Sequence, residues 1–321
     1  MSEIVHSEAQ ALELFPADAS GRHGLIAAVF QRAGWWPADA DTNQILAWSA
    51  AAPAANLYWR SAAPQSGEFV EYDRRLAYFA ALADTRFAPG AKFRIVAGRQ
   101  QAADALFYRT QFVATPAAPA FVAAWIRRAA AADRRALIAA ELYQLLRSRG
   151  WLVPVSGDDG ETYFAAAAAW KFSEIVKSIS ERITCCSVCA SLAKKEIAAL
   201  TGVLRQKREV DVALEHRRAA RCRPDVACSI MALNAVAMIE EYERLGGASA
   251  APAGVITDAW YFPAAAAERA TESERAADEP GSFRIKARFA LDNESFIAYN
   301  NREMLRAARI GASAHCGGIV R

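Results

Sequence analysis

Six side chains able to ligate a soft metal crowd one stretch of the chain: Cys185, Cys186, Cys189, His216, Cys222 and Cys228. On a helix, Cys186 and Cys189 share a face at i, i+3, and Cys185 and Cys189 at i, i+4, so either pair can chelate one ion. A chain reversal near Thr201-Gly202 would bring Cys222 level with the first cysteines and His216 close by, because the rise per residue is equal in both arms. Cys228 would then sit in the first turn after Pro224, where a helix N-terminus favours a thiolate. Such a set meets the tetrahedral requirement of structural zinc, although the spacing matches no standard zinc signature. Ordinary packed thiols and redox use are the competing readings.

The elements that must position these donors are read from periodicity. From Phe172 the apolar positions step by four and three through Val176, Ile179, Ile183, Cys186, Ala190, Ala193, Ile197 and Leu200 to Leu204, predicting one long helix with a continuous seam. A shorter seam, Met231, Ala235, Met238, Tyr242 and Leu245, starts after Pro224 and stops at Gly246-Gly247. Helical spacing also marks residues 24–33, 69–85, 121–131 and 134–149, while 92–97 and 107–114 look like strands. Residues 151–164 carry Gly157-Asp158-Asp159-Gly160 between two β-prone arms, the form of a hairpin. Near the end, 254–262 and 282–291 look like strands, the second alternating Phe283, Ile285, Ala287 and Phe289 with Arg284, Lys286 and Arg288.

The expected fold class is α+β but predominantly helical. It comprises an N-terminal α+β segment (1–115), a central long-helix hairpin or bundle carrying the β-hairpin (116–250), and C-terminal short β elements with a tail (251–321). A proline-bearing run of small residues, 115–120, marks the first boundary.

Charge is nearly balanced, 38 basic against 35 acidic residues, so the total predicts no polyanion partner. Its distribution says more. Residues 91–150 and 181–223 are basic, and Arg127, Arg128, Arg134, Arg135, Arg205, Lys207, Arg208, Arg217 and Arg218 are the candidate contacts to nucleic acid or an acidic partner. A solvated helix face is the alternative for most of them. No apolar run suits a membrane span and no signal peptide is evident, so the expected location is cytoplasmic, with reduced thiols.

No phosphate loop, GxSxG elbow, HExxH or EF-hand pattern is present. Residues 121–164, two helices then a hairpin, resemble part of a winged helix. Leu57-Tyr58-Trp59-Arg60 and Phe112-Val113-Ala114-Thr115-Pro116 resemble the arginine strand and Ser/Thr-rich strand of ADP-ribosyltransferase toxins, which implies a transferase. The second motif lacks its serines and no catalytic glutamate can be placed, so membership does not follow. The leading expectation is a binding or regulatory protein with a zinc-stabilised helical hairpin and a basic face. A transferase-like enzyme with its site in the N-terminal α+β half is the alternative, and an assembly protein oligomerised through the long seam is the third.

Overall fold

A computed structural model describes residues 25–34, 56–61, 67–130, 135–183, 187–204, 223–250, 252–266 and 279–291. It is a mixed α+β fold, 46% helix and 28% strand, with 13 strands in four antiparallel sheets among the described residues. This corrects the expectation of a predominantly helical protein built on a long-helix bundle.

The main sheet has the order β1-β11-β12-β2-β13, formed by Tyr58–Arg60, Gly254–Ile256, Ala259–Pro263, Gly67–Arg74 and Phe283–Leu291. It therefore takes strands from both ends of the described chain. One face is the core: Val70 and Tyr72 of β2 lie with Val255, Trp260 and Phe262, all buried. Helices α3 (Ala120–Ala129) and α7 (Pro224–Arg244) supply aromatic neighbours to that face. Phe121 meets Trp260 edge-on at 5.0 Å and Tyr242 stacks on it at 5.5 Å, while the Trp260 indole N–H donates to the Met238 carbonyl at 3.0 Å.

Residues 69–85, predicted helical throughout, divide in two. Period-two alternation wins over 67–74, which pairs with β12 on one side and β13 on the other, and the helix α2 (Ala77–Asp84) begins only after Leu76. A second sheet, β4-β9-β5-β7, uses Phe93–Ala97, Glu161–Ala165, Phe107–Thr110 and Ala136–Ala139. Helix α4 (Ala140–Ser148) follows β7, so the predicted helix at 134–149 has a strand in place of its first turn. The predicted hairpin at 151–164 does not close on itself. Its first arm, β8 (Leu152–Pro154), pairs with β6 (Phe112–Ala114), and its second is β9 in the other sheet. The turn between them is built around Asp158, which accepts from the Thr110 hydroxyl (2.8 Å), the Gln111 N–H (2.7 Å) and Arg135 Nε (2.7 Å).

The long seam is carried by two described helices, α5 (Ser173–Ile183) and α6 (Ser187–Leu204). Phe172, Val176, Ile179, Ala193, Ile197, Leu200 and Leu204 are buried as their spacing requires. They pack among α1 (Leu25–Ala33), α2 and α7 within the common core. The later seam is helix α7 itself, ending at the predicted glycines.

Arg223, 0% exposed, pins three of these helices together. Its Nε and Nη2 donate to the two oxygens of Asp225 at 2.9 and 2.7 Å. Nη1 donates to the carbonyls of Ala33 and Gly34, Nη2 also to that of Ala88, and its backbone N–H to Leu204 at 2.8 Å. All five guanidinium donors are thereby used.

Candidate functional site

The helix α6 runs through Gly202 to Leu204, so the reversal expected at Thr201-Gly202 is not made there. Cys185, Cys186, His216 and Cys222 lie outside the described residues. Cys189 is buried in a small cluster with Val188 and Leu192, whereas Cys228 lies in the main core. Burial, then the charges of Asp225 and Glu141, push the Cys228 thiol up to about 12, so the helix start does not make it a thiolate. Among the described residues no group of three His, Cys, Asp or Glu is arranged to hold a metal ion.

The predicted basic contacts are partly committed elsewhere. Arg128 donates to the carbonyls of Tyr58 (3.1 Å) and Asn56 and lies over the Tyr58 ring, tying α3 to β1. Arg135 pairs with Asp158 and, at 3.6 Å, with Glu161. Arg127 is exposed at the end of α3. Arg134, Arg205, Lys207, Arg208, Arg217 and Arg218 lie outside the described residues.

A group of mutually coupled carboxylates lies instead on the main sheet. In β2, Val70 and Tyr72 enter the core, so Phe69, Glu71 and Asp73 share the other face. Asp73 stands opposite Ala259 of β12 and Arg284 of β13. Strands β11 and β12 are joined by the two-residue turn Thr257-Asp258, which sets Asp258 beside the end of β2. There the Arg74 N–H donates to the Asp258 carbonyl at 2.8 Å.

That turn is held under strain. Thr257 has φ +53°, a left-handed conformation costly for a β-branched residue. Its N–H donates to the Leu57 carbonyl (2.8 Å) and its hydroxyl to Asp258 Oδ1 (2.6 Å). Its own carbonyl accepts from Asn234 Nδ2 at 3.1 Å. Asn234, buried in α7, also accepts from Arg74 Nη1 at 3.0 Å, and Arg74 Nε donates to the Gly281 carbonyl at 3.3 Å. One amide from the helix thus fixes the residue after Asp73 and the residue before Asp258.

The sheet edge adds cations. The ladder between β2 and β13 shifts register between Ile285 and Ala287, so Lys286 is the bulged residue, and its Nζ donates to Glu71 Oε1 at 2.7 Å. Arg284 Nη2 lies 4.0 Å from Asp73 Oδ2. Even so, burial first, then the negative charges of Asp258 and Glu71, raise the Asp73 carboxyl to about 6, against the opposing pull of Lys286 and Arg284. Burial likewise raises Asp258, opposed by the Thr257 hydroxyl and Lys286. Two half-buried carboxylates that repel each other, locked in place by a strained turn and a buried asparagine, make a functional-site candidate on physical grounds. Sequence reading misses the pair because its members are far apart and the spacing of residues 69–85 predicts one helix. The alternation of Phe69, Glu71 and Asp73 was the available signal.

No family model matches this chain, and no curated protein matches it. Solved structures do. Phi29 DNA polymerase complexed with primer-template DNA and incoming nucleotide substrates superposes with a TM-score of 0.51 at 11% identity, over 88% of this chain and 53% of that one. The same polymerase complexed with single-stranded DNA gives 0.53 at 11% identity, over 88% and 52%. Its orthorhombic crystal form gives 0.53 at 11%, over 82% and 50%. This chain spans about half the length of those polymerase chains, and at such identity the likeness is one of fold.

Proposed function

We propose that this chain binds nucleic acid over the polar face of its main sheet and that Asp73 and Asp258, with a divalent cation, act on nucleotide phosphates in a nucleotidyl-transfer reaction. The observation that carries the reading is the Asp73–Asp258 pair itself, two carboxylates set beside each other where the end of β2 meets the turn before β12. The residues present fit a cation, since a divalent ion relieves the repulsion that raises Asp73. A hard cation such as Mg2+ commonly takes only one or two carboxylates, with substrate phosphates and water completing its shell. Asp73 and Asp258 would hold it. When bound, it would supply charge neutralisation at the phosphoryl oxygens.

The chain's own residues would do the rest. Exposed Arg284 and Lys286 on β13 border the same carboxylates and offer cations to a phosphate backbone. Asn234 and the Thr257 turn would keep the carboxylates fixed while substrate enters. The fold shared with a polymerase whose structures contain DNA and incoming nucleotides supports this reading.

The test pairs DNA binding with primer extension. Fluorescence anisotropy should show affinity that falls steeply with salt, the log–log slope dropping by about one for Arg284→Ala. Extension with Mg2+ or Mn2+ should fall by about a hundredfold or more in Asp73→Asn and Asp258→Asn, at unchanged DNA affinity. Absence of DNA binding at low salt refutes the whole reading. Binding without nucleotide incorporation under either metal refutes its catalytic half and leaves a nucleic-acid-binding protein.

A further inference from the structure

We infer that Trp170 is a stacking platform for an unpaired base, bordered by Arg32 and Lys171, and that the ligand of this surface is a single strand of nucleic acid. The inference rests on the nucleic-acid reading above and adds a second contact for the same ligand, at the far end of α2.

A tryptophan is large and apolar enough that a fold normally hides most of it. Trp170 is 42% exposed, and it is the one aromatic among the exposed large apolar side chains of the described residues, the others being Ile95, Val113 and Val153. It is nonetheless held in place. It lies in the two-residue strand β10 (Trp170–Lys171), which pairs with β3 (Arg86–Phe87), Trp170 opposite Phe87 and Lys171 opposite Arg86. Phe87 is buried, meets the indole in a T-shaped contact at 6.4 Å and stacks at 4.2 Å on buried Phe172, the residue that leads into α5. The core thus steadies the ring and leaves much of it in solvent.

The charges around it are predominantly positive and loosely engaged. Arg32 Cζ sits 4.4 Å over the ring, and its Nη2 reaches exposed Glu174 only at 3.7 Å. Lys171 Nζ reaches exposed Asp84 only at 3.9 Å. Ion pairs of that length between exposed groups contribute little and open readily. Exposed Lys177 shares the Glu174 face of α5 at i, i+3. Exposed Lys92 is tied by its carbonyl to the N–H of Ala166, four residues before Trp170. Arg32, Lys92, Lys171 and Lys177 therefore outnumber Glu174 and Asp84, the sign that suits phosphate.

A steady aromatic face with cations around it is how proteins hold single strands: any base can stack on the ring while the cations follow the backbone. A duplex cannot use the face, because its bases are already stacked on one another. An incoming base takes the place of the Arg32 guanidinium over the indole, and the guanidinium passes to a phosphate. Helix α2 connects this platform to the carboxylates. It begins just after Leu76, three residues beyond Asp73, and ends at Asp84, the partner of Lys171. At 1.5 Å per residue it is about 12 Å long, so a strand held at both places spans only a few nucleotides.

The experiment is fluorescence anisotropy of the full chain with three labelled probes: oligothymidylate, a blunt duplex of equal length, and an abasic strand that keeps the phosphates and lacks the bases. Trp170→Ala is expected to weaken oligothymidylate binding by about tenfold and to bind the duplex and the abasic strand as wild type does. Trp170→Tyr, which restores a stacking ring, is expected to recover most of the loss. Lys171→Ala is expected to weaken binding of the two single-stranded probes alike and to lower their salt slope by about one. Wild-type chain irradiated with iodouracil-substituted oligothymidylate is expected to form an adduct that peptide mapping places on Trp170, a readout that needs no variant to fold. Equal oligothymidylate affinity of Trp170→Ala and wild type, an equal loss on all three probes, or an adduct confined to other peptides overturns the platform and leaves the carboxylate site standing. A wild-type chain that binds none of the three probes overturns the nucleic-acid reading itself.

Discussion

Asp73 should leave a signature in the pH dependence of folding. Its carboxyl is raised from 3.8 to about 6 in the folded chain, with the side chain only 15% exposed. The folded state therefore binds a proton more tightly than the unfolded state does. Stability is full below about pH 4 and is lost as pH rises through about 6. At about 1.4 kcal/mol per pH unit, ionising Asp73 costs the fold about 3 kcal/mol at neutral pH. The perturbation is Asp73→Asn, which keeps the shape and removes the charge. At about pH 8 the variant should be more stable than wild type by about 2 to 3 kcal/mol, a melting point higher by about 5 °C for a chain of this size. At about pH 4 the two should coincide. The assay is thermal unfolding of both proteins across that range, with and without Mg2+. Wild type should gain stability from Mg2+ at high pH, where the ion replaces the proton, and the variant should gain much less. Parallel pH profiles for the two proteins would refute the argument that burial and Asp258 together hold this carboxylate in an unfavourable state.

Three other outcomes follow from named contacts. Arg223→Ala strands Asp225 and the carbonyls of Ala33, Gly34 and Ala88 in the core. It should cost about 3–5 kcal/mol by chemical denaturation, and a loss below about 1 kcal/mol would contradict the clamp. Asn234→Ala removes the bonds to Arg74 and Thr257 and should cost about 2 kcal/mol while weakening Mn2+ binding. Unaltered Mn2+ affinity would deny the asparagine a positioning role. Cys228, 1% exposed with its thiol pushed to about 12, should resist a thiol reagent at about pH 8 in the native chain and react after denaturation, as peptide mapping of the labelled protein would show.

Much of the architecture was legible wherever one period ruled a segment. The seams of α5, α6 and α7 are legible as buried faces, because burial on one side leaves a repeat in the sequence, whereas the alternation expected of β13 is broken by the bulge at Lys286. Reading failed where pairing is set by distant partners. Residues 67–74 became a strand because β12 and β13 sandwich them, and the arms at 152–154 and 161–165 parted to join different sheets. The cations of β13 are visible in the sequence, but the significance of Arg284 and Lys286 is not. That required Glu71, Asp73 and Asp258 to be known as neighbours, and nothing local in the sequence links them. Cysteines drew attention by their type, whereas the strained turn at Thr257 carries no composition signal, since threonine is among the residues least suited to its conformation.

The order of the main sheet dictates an order of assembly. During synthesis β2 emerges well ahead of both strands that flank it, which are made only after residue 258, so its two edges stay unsatisfied over that whole interval. A nascent chain in that condition presents open strand edges to any other, and pairing over such separations is slow. Recovery of intact protein should thus depend on chaperones and on low expression rate far more than the stability of the finished molecule would indicate.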